Sequence, residues 1–199
     1  MDVQNTNLMK HDEVSQHVST RAKILFSLAC AAVYFFAFKL NAILFESFNF
    51  SHGVNWIFLP SGLRMFFALV LLNSGSVGII LATLLLNYMN GSADSHFFNI
   101  VTALISGFAP LIARQICVDY LKVGTNLSNL TSKSLFQISI VFAVVSALLH
   151  QVWFFWNQAT ENFIASSLVM VVGDWFGTVL VLATASLVIR VHRFLTAKR

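Results

Sequence analysis

The chain is written in long apolar blocks separated by short polar connections, with little of the single-residue alternation that marks half-buried strands. The blocks cover residues 22–48, 53–72, 76–88, 97–118, 135–156 and 163–190. A bilayer core about 30 Å thick takes roughly 20 apolar residues of helix, and only a helix or a closed barrel satisfies its backbone there. Continuous apolar blocks argue against a barrel, whose strands alternate. The pattern therefore predicts an all-α fold, a polytopic integral membrane bundle of about six transmembrane helices. The third block is short, and Asn87 and Asn90 would cap it at the interface. The first block is longer than the apolar core of a signal peptide and lacks a small-residue cleavage site after it, so it reads as a retained helix. Three segments follow: a polar N-terminal stretch (1–20), the bundle (21–190) and a basic tail (191–199). Neither the polar stretch nor the Asn-, Ser- and Thr-rich loop at 122–134 is large enough to bury a core of its own.

Composition sharpens this. Of 199 residues, 57% are hydrophobic and 10% charged, whereas a soluble domain carries about a quarter charged residues. An ordinary soluble enzyme is excluded. The net charge is +4, but the basic residues sit at block ends and form no patch, so they point to the lipid bilayer as partner and not to nucleic acid. Lys10, Arg21 and Lys23 precede the first block, Lys122 and Lys133 lie between the fourth and fifth, and Arg190, Arg193, Lys198 and Arg199 end the chain. The connections around Phe50, Asp94 and Gln158 have no Lys or Arg. The positive-inside rule then predicts both termini in the cytoplasm. Trp153 to Trp156, with Phe45, Phe48 and Phe50, read either as an outer aromatic belt or as ordinary packing in a Phe-rich protein. Cys30 and Cys117 read as small apolar side chains. No phosphate-cradling or dinucleotide-binding glycine loop, no metal-ligand spacing and no Ser/His or paired-carboxylate constellation is evident. No cofactor, no metal and no enzymatic activity are therefore expected.

Charges at membrane depth cost about 2.5 to 3.5 kcal/mol each on insertion scales, so they mark where function resides. They are Lys39, Arg64, Arg114, His150 and Asp174. Arg114 lies near a helix end and can snorkel. Arg64 and Asp174 each stand about eleven residues inside blocks entered from the outside, roughly 16 Å deep at helical rise. They are placed to pair. Lys39 and His150 fall about 10 to 13 Å from the outer edge by the same rise. Two readings stay open. Arg64 and Asp174 form a structural ion pair with Lys39 and His150 reaching headgroups or carbonyls, or the four line an outward-facing polar cavity for a small ligand or ion. His150 is either a simply hydrogen-bonded side chain or a pH reporter in that cavity.

The second block contains Trp56 to Arg64, in which Pro60 removes a backbone donor and Gly62 loosens the same turn. A kink or break is expected there, with Ser61 capping a second half-helix whose positive end faces the cavity. The sixth carries Gly173-Asp174-Trp175-Phe176-Gly177, whose paired glycines permit close approach.

Trp56 with Pro60-Ser61-Gly62, Asn99 followed by Ala103, and the Gly173 to Gly177 motif together resemble the membrane-associated sensor domain family of the first MASE type, over residues 50–182. That family's acidic residue after the asparagine is replaced near Thr102, and its arginine-rich inner helix end is reduced to Arg114. The resemblance implies a bacterial inner-membrane sensory module that normally precedes a kinase or cyclase output domain. With no output module after Arg199, signalling would pass to a separate membrane or cytoplasmic protein partner. Two other functions fit the same residues. One is a small transporter, motivated by the proline motif and midplane charges. The other is an accessory subunit of a larger membrane complex, packing small-residue faces such as Ala31-Ala32 and 183–186 on other chains.

Overall fold

A computed structural model describes residues 19–51, 53–89, 95–121 and 131–196, without the side chains of 121 and 189–194. Lys10, Asn90, Asp94, Lys122 and the last three residues lie outside this description, as do the side chains of Arg190 and Arg193. The fold is all-α with one small hairpin. Among the described residues six helices run α1 (Thr20–Leu44), α2 (Leu59–Val70), α3 (Asn73–Met89), α4 (His96–Leu121), α5 (Ser132–Trp156) and α6 (Phe163–Thr196). Between α1 and α2 come a single 3-10 turn (Glu46–Phe48) and two short antiparallel strands, β1 (Asn49–Ser51) and β2 (Val54–Asn55).

Four helices, α1, α4, α5 and α6, are long and apolar enough to cross a membrane; α2 and α3, at 12 and 17 residues, are shorter. The second block is therefore not one long helix. At ~1.5 Å per residue α2 spans only about 18 Å. The chain reaches it through the hairpin and a non-helical run, Trp56 to Phe58.

Local chemistry explains most boundaries. A helix leaves its first amides without intrahelical partners, and Ser, Thr or Asn side chains supply them. Ser19 accepts from the Arg21 amide at the start of α1, Ser95 from Phe98 at α4, Thr131 from Ser134 at α5, and Asn162 from Ala165 at α6. The N-cap residue of α2, Phe58, offers no such side chain. Its cap comes from another helix, because Asn41 of α1 accepts the Leu59 amide at 2.9 Å through Oδ1 and directs Nδ2 to the Ile57 carbonyl at 3.4 Å.

Pro60 consequently produces no kink. It stands in the first turn of α2, where its missing N–H is one that the helix leaves unpaired anyway and its fixed φ is already helical. Ser61 does not cap a half-helix either. Its hydroxyl donates toward carbonyl oxygens, those of Phe58 and of Asp174 on α6, each at 2.8 Å. At the far end Leu72, with φ of 49°, turns the chain directly into α3.

α2 is the buried centre, packed against α1, α3, α4 and α6, while α1–α3–α4–α5–α6 are neighbours in that order around it. The glycine pair on α6 allows this close fit. A Cβ on Gly173 would fall 2.0 Å from the Asn55 carbonyl oxygen, and one on Gly177 equally close to that of Phe58, so the backbone leading into α2 lies directly on α6. Gly62 in turn abuts the Gly177 carbonyl. Ala31 is used inside the chain, where Gly78 of α3 seats against Ser27, Cys30 and Ala31 of α1. At one end an apolar core of Met65, Leu69, Ala113, Ile138, Phe142 and Leu182 joins α2, α4, α5 and α6. At the other end, Val54 of the hairpin is fully buried against Ala147, Val169 and Met170.

Candidate functional site

The two motifs singled out by sequence meet. Arg64 Nη2 lies 3.1 Å and 3.2 Å from the two carboxylate oxygens of Asp174. The side chains are 2% and 1% exposed, so water screens this pair very little. Phe58 and Phe142 flank the guanidinium, with Cζ at 5.4 Å and 5.6 Å from their ring centroids. A desolvated guanidinium over aromatic faces gains a cation–π term in addition to its ion pair. The Nε donor of Arg64 is buried and meets no acceptor among the described residues. Arg64 and Asp174 thus pair as the sequence placed them to do, although Arg64 reaches Asp174 through a non-helical run and the first turns of a short helix. Its depth was reckoned along a continuous helix that is not present.

A chamber of about 210 Å³ opens beside Arg64. Its walls come from every helix and from the hairpin. Tyr34, Phe38, Phe58, Phe98 and Phe154 supply rings, while Thr83, Asn87, Asn99, Thr102, Ser106 and His150 supply uncharged polar groups. Gly53 stands at the hairpin end, where an added Cβ would meet the Phe154 ring at 3.3 Å, and its φ of 67° lies in the region that favours glycine. The hairpin is held by buried Val54 and by the contact of the Ser51 hydroxyl with that of Ser166, at 3.4 Å.

His150 is 3% exposed and hydrogen-bonded on both sides. Its Nδ1 sits 2.8 Å from the Ser146 carbonyl and its Nε2 3.1 Å from the Ser106 hydroxyl. A carbonyl only accepts, so Nδ1 carries hydrogen, and in the neutral tautomer this fixes Nε2 accepts from Ser106. The sequence reading found no Ser/His constellation. The structure brings Ser106 and His150 together across 44 positions of sequence, and only the tertiary fold could disclose that contact.

The remaining candidates divide. Asn99 is buried in the chamber wall, its carbonyl accepting from Asn87 Nδ2 at 3.4 Å, and Ala103 one turn later is fully buried. Thr102 also lines the chamber and accepts Trp153 Nε1 at 3.1 Å. Pro60, Ser61 and Gly62 support the wall from behind and do not line it. Two candidates lie elsewhere. Lys39 is only half-buried, with Nζ 6.0 Å from the Phe35 ring centroid, and does not line the chamber. Trp56 is 44% exposed and packs edge to face on Phe50. Lys39, Arg64, His150 and Asp174 therefore do not share one cavity as the sharper sequence reading expected. Lys39 sits on a different face of α1 from Tyr34 and Phe38, which do line it.

Side chains that sequence reasoning passed over include Asn41, Ser106 and Gln151. Gln151 is fully buried, with Nε2 3.4 Å from the Met170 sulfur and Oε1 without a partner among the described residues. All three are polar residues inside apolar blocks, a signal that was available. No family model, curated protein or solved structure matches this chain.

Proposed function

We propose that this chain is a membrane-embedded sensory or regulatory module that receives a small ligand in the chamber beside Arg64 and passes a helix displacement to a separate protein. The observation carrying this reading is the chamber itself. An apolar bundle that encloses uncharged polar groups from α3, α4 and α5 next to a buried ion pair retains groups whose insertion is unfavourable. Purely structural packing would be better served by apolar side chains of the same volume. The joint placement of the Pro60-Ser61-Gly62 and Gly173–Gly177 motifs adds support, since they carry the resemblance to the first MASE-type sensor domains. In this reading the protein resides in a bacterial inner membrane, with α2, α3 and the hairpin completing six passes and both termini cytoplasmic. A ligand can shift the bundle only by the difference in its affinity for two arrangements.

The test is native mass spectrometry of the full chain isolated from its host membranes. Wild type is expected to carry a small bound mass that Thr83→Trp, which fills the chamber, removes. An empty wild-type chamber accompanied by a stoichiometric protein partner would overturn the sensory reading in favour of an accessory subunit. One observation favours transport as the second reading, namely that α2 begins well inside the bundle after a non-helical entry, as discontinuous helices do at transporter substrate sites. Accumulation of the bound compound by proteoliposomes would establish it.

A further inference from the structure

We infer that the ligand of this chamber is a small uncharged single-ring compound carrying both a hydrogen-bond donor and an acceptor; this rests on the chamber being a ligand site. The first observation is charge balance. Among the described residues the one charged side chain in the wall is Arg64, and the Asp174 carboxylate neutralises it. An ionised ligand would leave the bilayer surface or water for a site with no unengaged countercharge, and burial of an uncompensated ion is strongly unfavourable. A neutral ligand meets no such barrier.

The second is shape. The volume of about 210 Å³ falls below that of sites for drug-sized ligands, roughly 300 to 1,000 Å³. Aromatic rings line the walls, Tyr34 and Phe38 from α1 and Phe98 and Phe154 from α4 and α5. Offset or edge-on packing against such rings suits a flat partner.

The third is polarity along α4. Thr102 and Ser106 both line the chamber and stand one turn apart, about 5–6 Å between Cβ atoms. They present opposite hydrogen-bonding characters. Trp153 donates to Thr102 Oγ1, which leaves the Thr102 hydroxyl hydrogen for donation. Ser106 spends its hydrogen on His150, which leaves its oxygen as an acceptor. Pro110, inside α4, has no N–H to give the Ser106 carbonyl four residues earlier. Ser106 is thus rich in acceptors and Thr102 supplies a donor. A ring with complementary groups at its two ends bridges that spacing.

Three probes share one ring and hydroxyl and differ in charge: 4-hydroxybenzamide (neutral), 4-hydroxybenzoate (anionic) and tyramine (cationic). Binding to the full chain in nanodiscs is followed by calorimetry at neutral pH. The amide is expected to bind, with the two ions weaker by at least tenfold. Loss of one net hydrogen bond corresponds to about tenfold in affinity, so Thr102→Val and Ser106→Ala should each weaken the amide by about that factor. Thr102→Ser, which keeps the hydroxyl, should restore binding. Ser139→Ala, on the Phe136 carbonyl away from the chamber, should leave it unchanged. Tighter binding of either ion, or of the amide regardless of Thr102 and Ser106, would overturn the ligand class while leaving the chamber a binding site. Failure of all three probes in a protein that stays folded would overturn the chamber reading beneath it.

Discussion

A buried guanidinium and carboxylate at 3.1 Å stabilise each other mainly by what happens when one is removed. Breaking such a pair leaves an uncompensated charge, and the loss runs to about 3–5 kcal/mol. Asp174→Asn is therefore expected to lower the unfolding midpoint in detergent far more than a typical core substitution. Arg64→Leu combined with Asp174→Leu should recover most of that loss if the pair serves packing. A harmless Asp174→Asn would show that the contact contributes little. Asn41 acts on a smaller scale. Asn41→Ala removes the acceptor for the Leu59 amide and should cost about 1 kcal/mol, as loss of a cap does, while Asn41→Asp, which keeps the acceptor, should lose less; equal losses for both would show that the acceptor is not what counts. The charges were legible in the sequence because isolated charges in apolar blocks are conspicuous. The role of Asn41 was not, since the helix it caps begins 18 positions later and no local pattern links the two.

At the scale of elements, α2 is the part that sequence pattern misjudged, and the reason is instructive. Apolar content from residue 53 onward looks continuous, yet the run divides into a hairpin, an extended entry and a 12-residue helix. Hydrophobicity reports burial or lipid contact and does not distinguish these conformations when they are buried by protein. The glycine pair was read correctly as a place of close approach, although its partner is the backbone at Asn55 and Phe58 and not simply another helix face. Because the atoms in the way are backbone oxygens, they have little freedom to yield. Gly173→Ala and Gly177→Ala should each destabilise by about 3 kcal/mol or more, the upper range for overpacking, and Gly177→Ala should also impair the proposed ligand binding by displacing Phe58. Leu168→Ala on the exposed face of the same helix is the control and should change stability little. Equal effects in a thermal unfolding series would mean that the entry into α2 can shift away from α6.

The whole molecule keeps its polar groups inside and turns apolar ones outward, with Phe36, Leu148, Leu168 and many other large hydrophobic side chains exposed. Such a surface is stable only in lipid or against other apolar chains. Its two ends differ in charge. Arg21, Lys23 and Lys133 are exposed where α1 and α5 begin. The opposite end, where the hairpin, the end of α5 and the start of α6 meet through Gly53–Phe154 and Ser51–Ser166, has exposed Trp156 and Gln158. Loops retain Lys and Arg on the cytoplasmic side, so in the proposed topology the chamber and its hairpin face outward. Single cysteines test this, introduced into a Cys30→Ala, Cys117→Ala background because both native thiols are buried. With intact cells and a membrane-impermeant maleimide, Gln158→Cys should be labelled and Lys133→Cys should react only after the membrane is opened. The reverse pattern would place the chamber toward the cytoplasm, and the ligand would then have to be an intracellular compound. Labelling of both positions in intact cells would mean that the chain between them does not cross the bilayer along α5, and the bundle could not be the spanning unit its apolar surface requires.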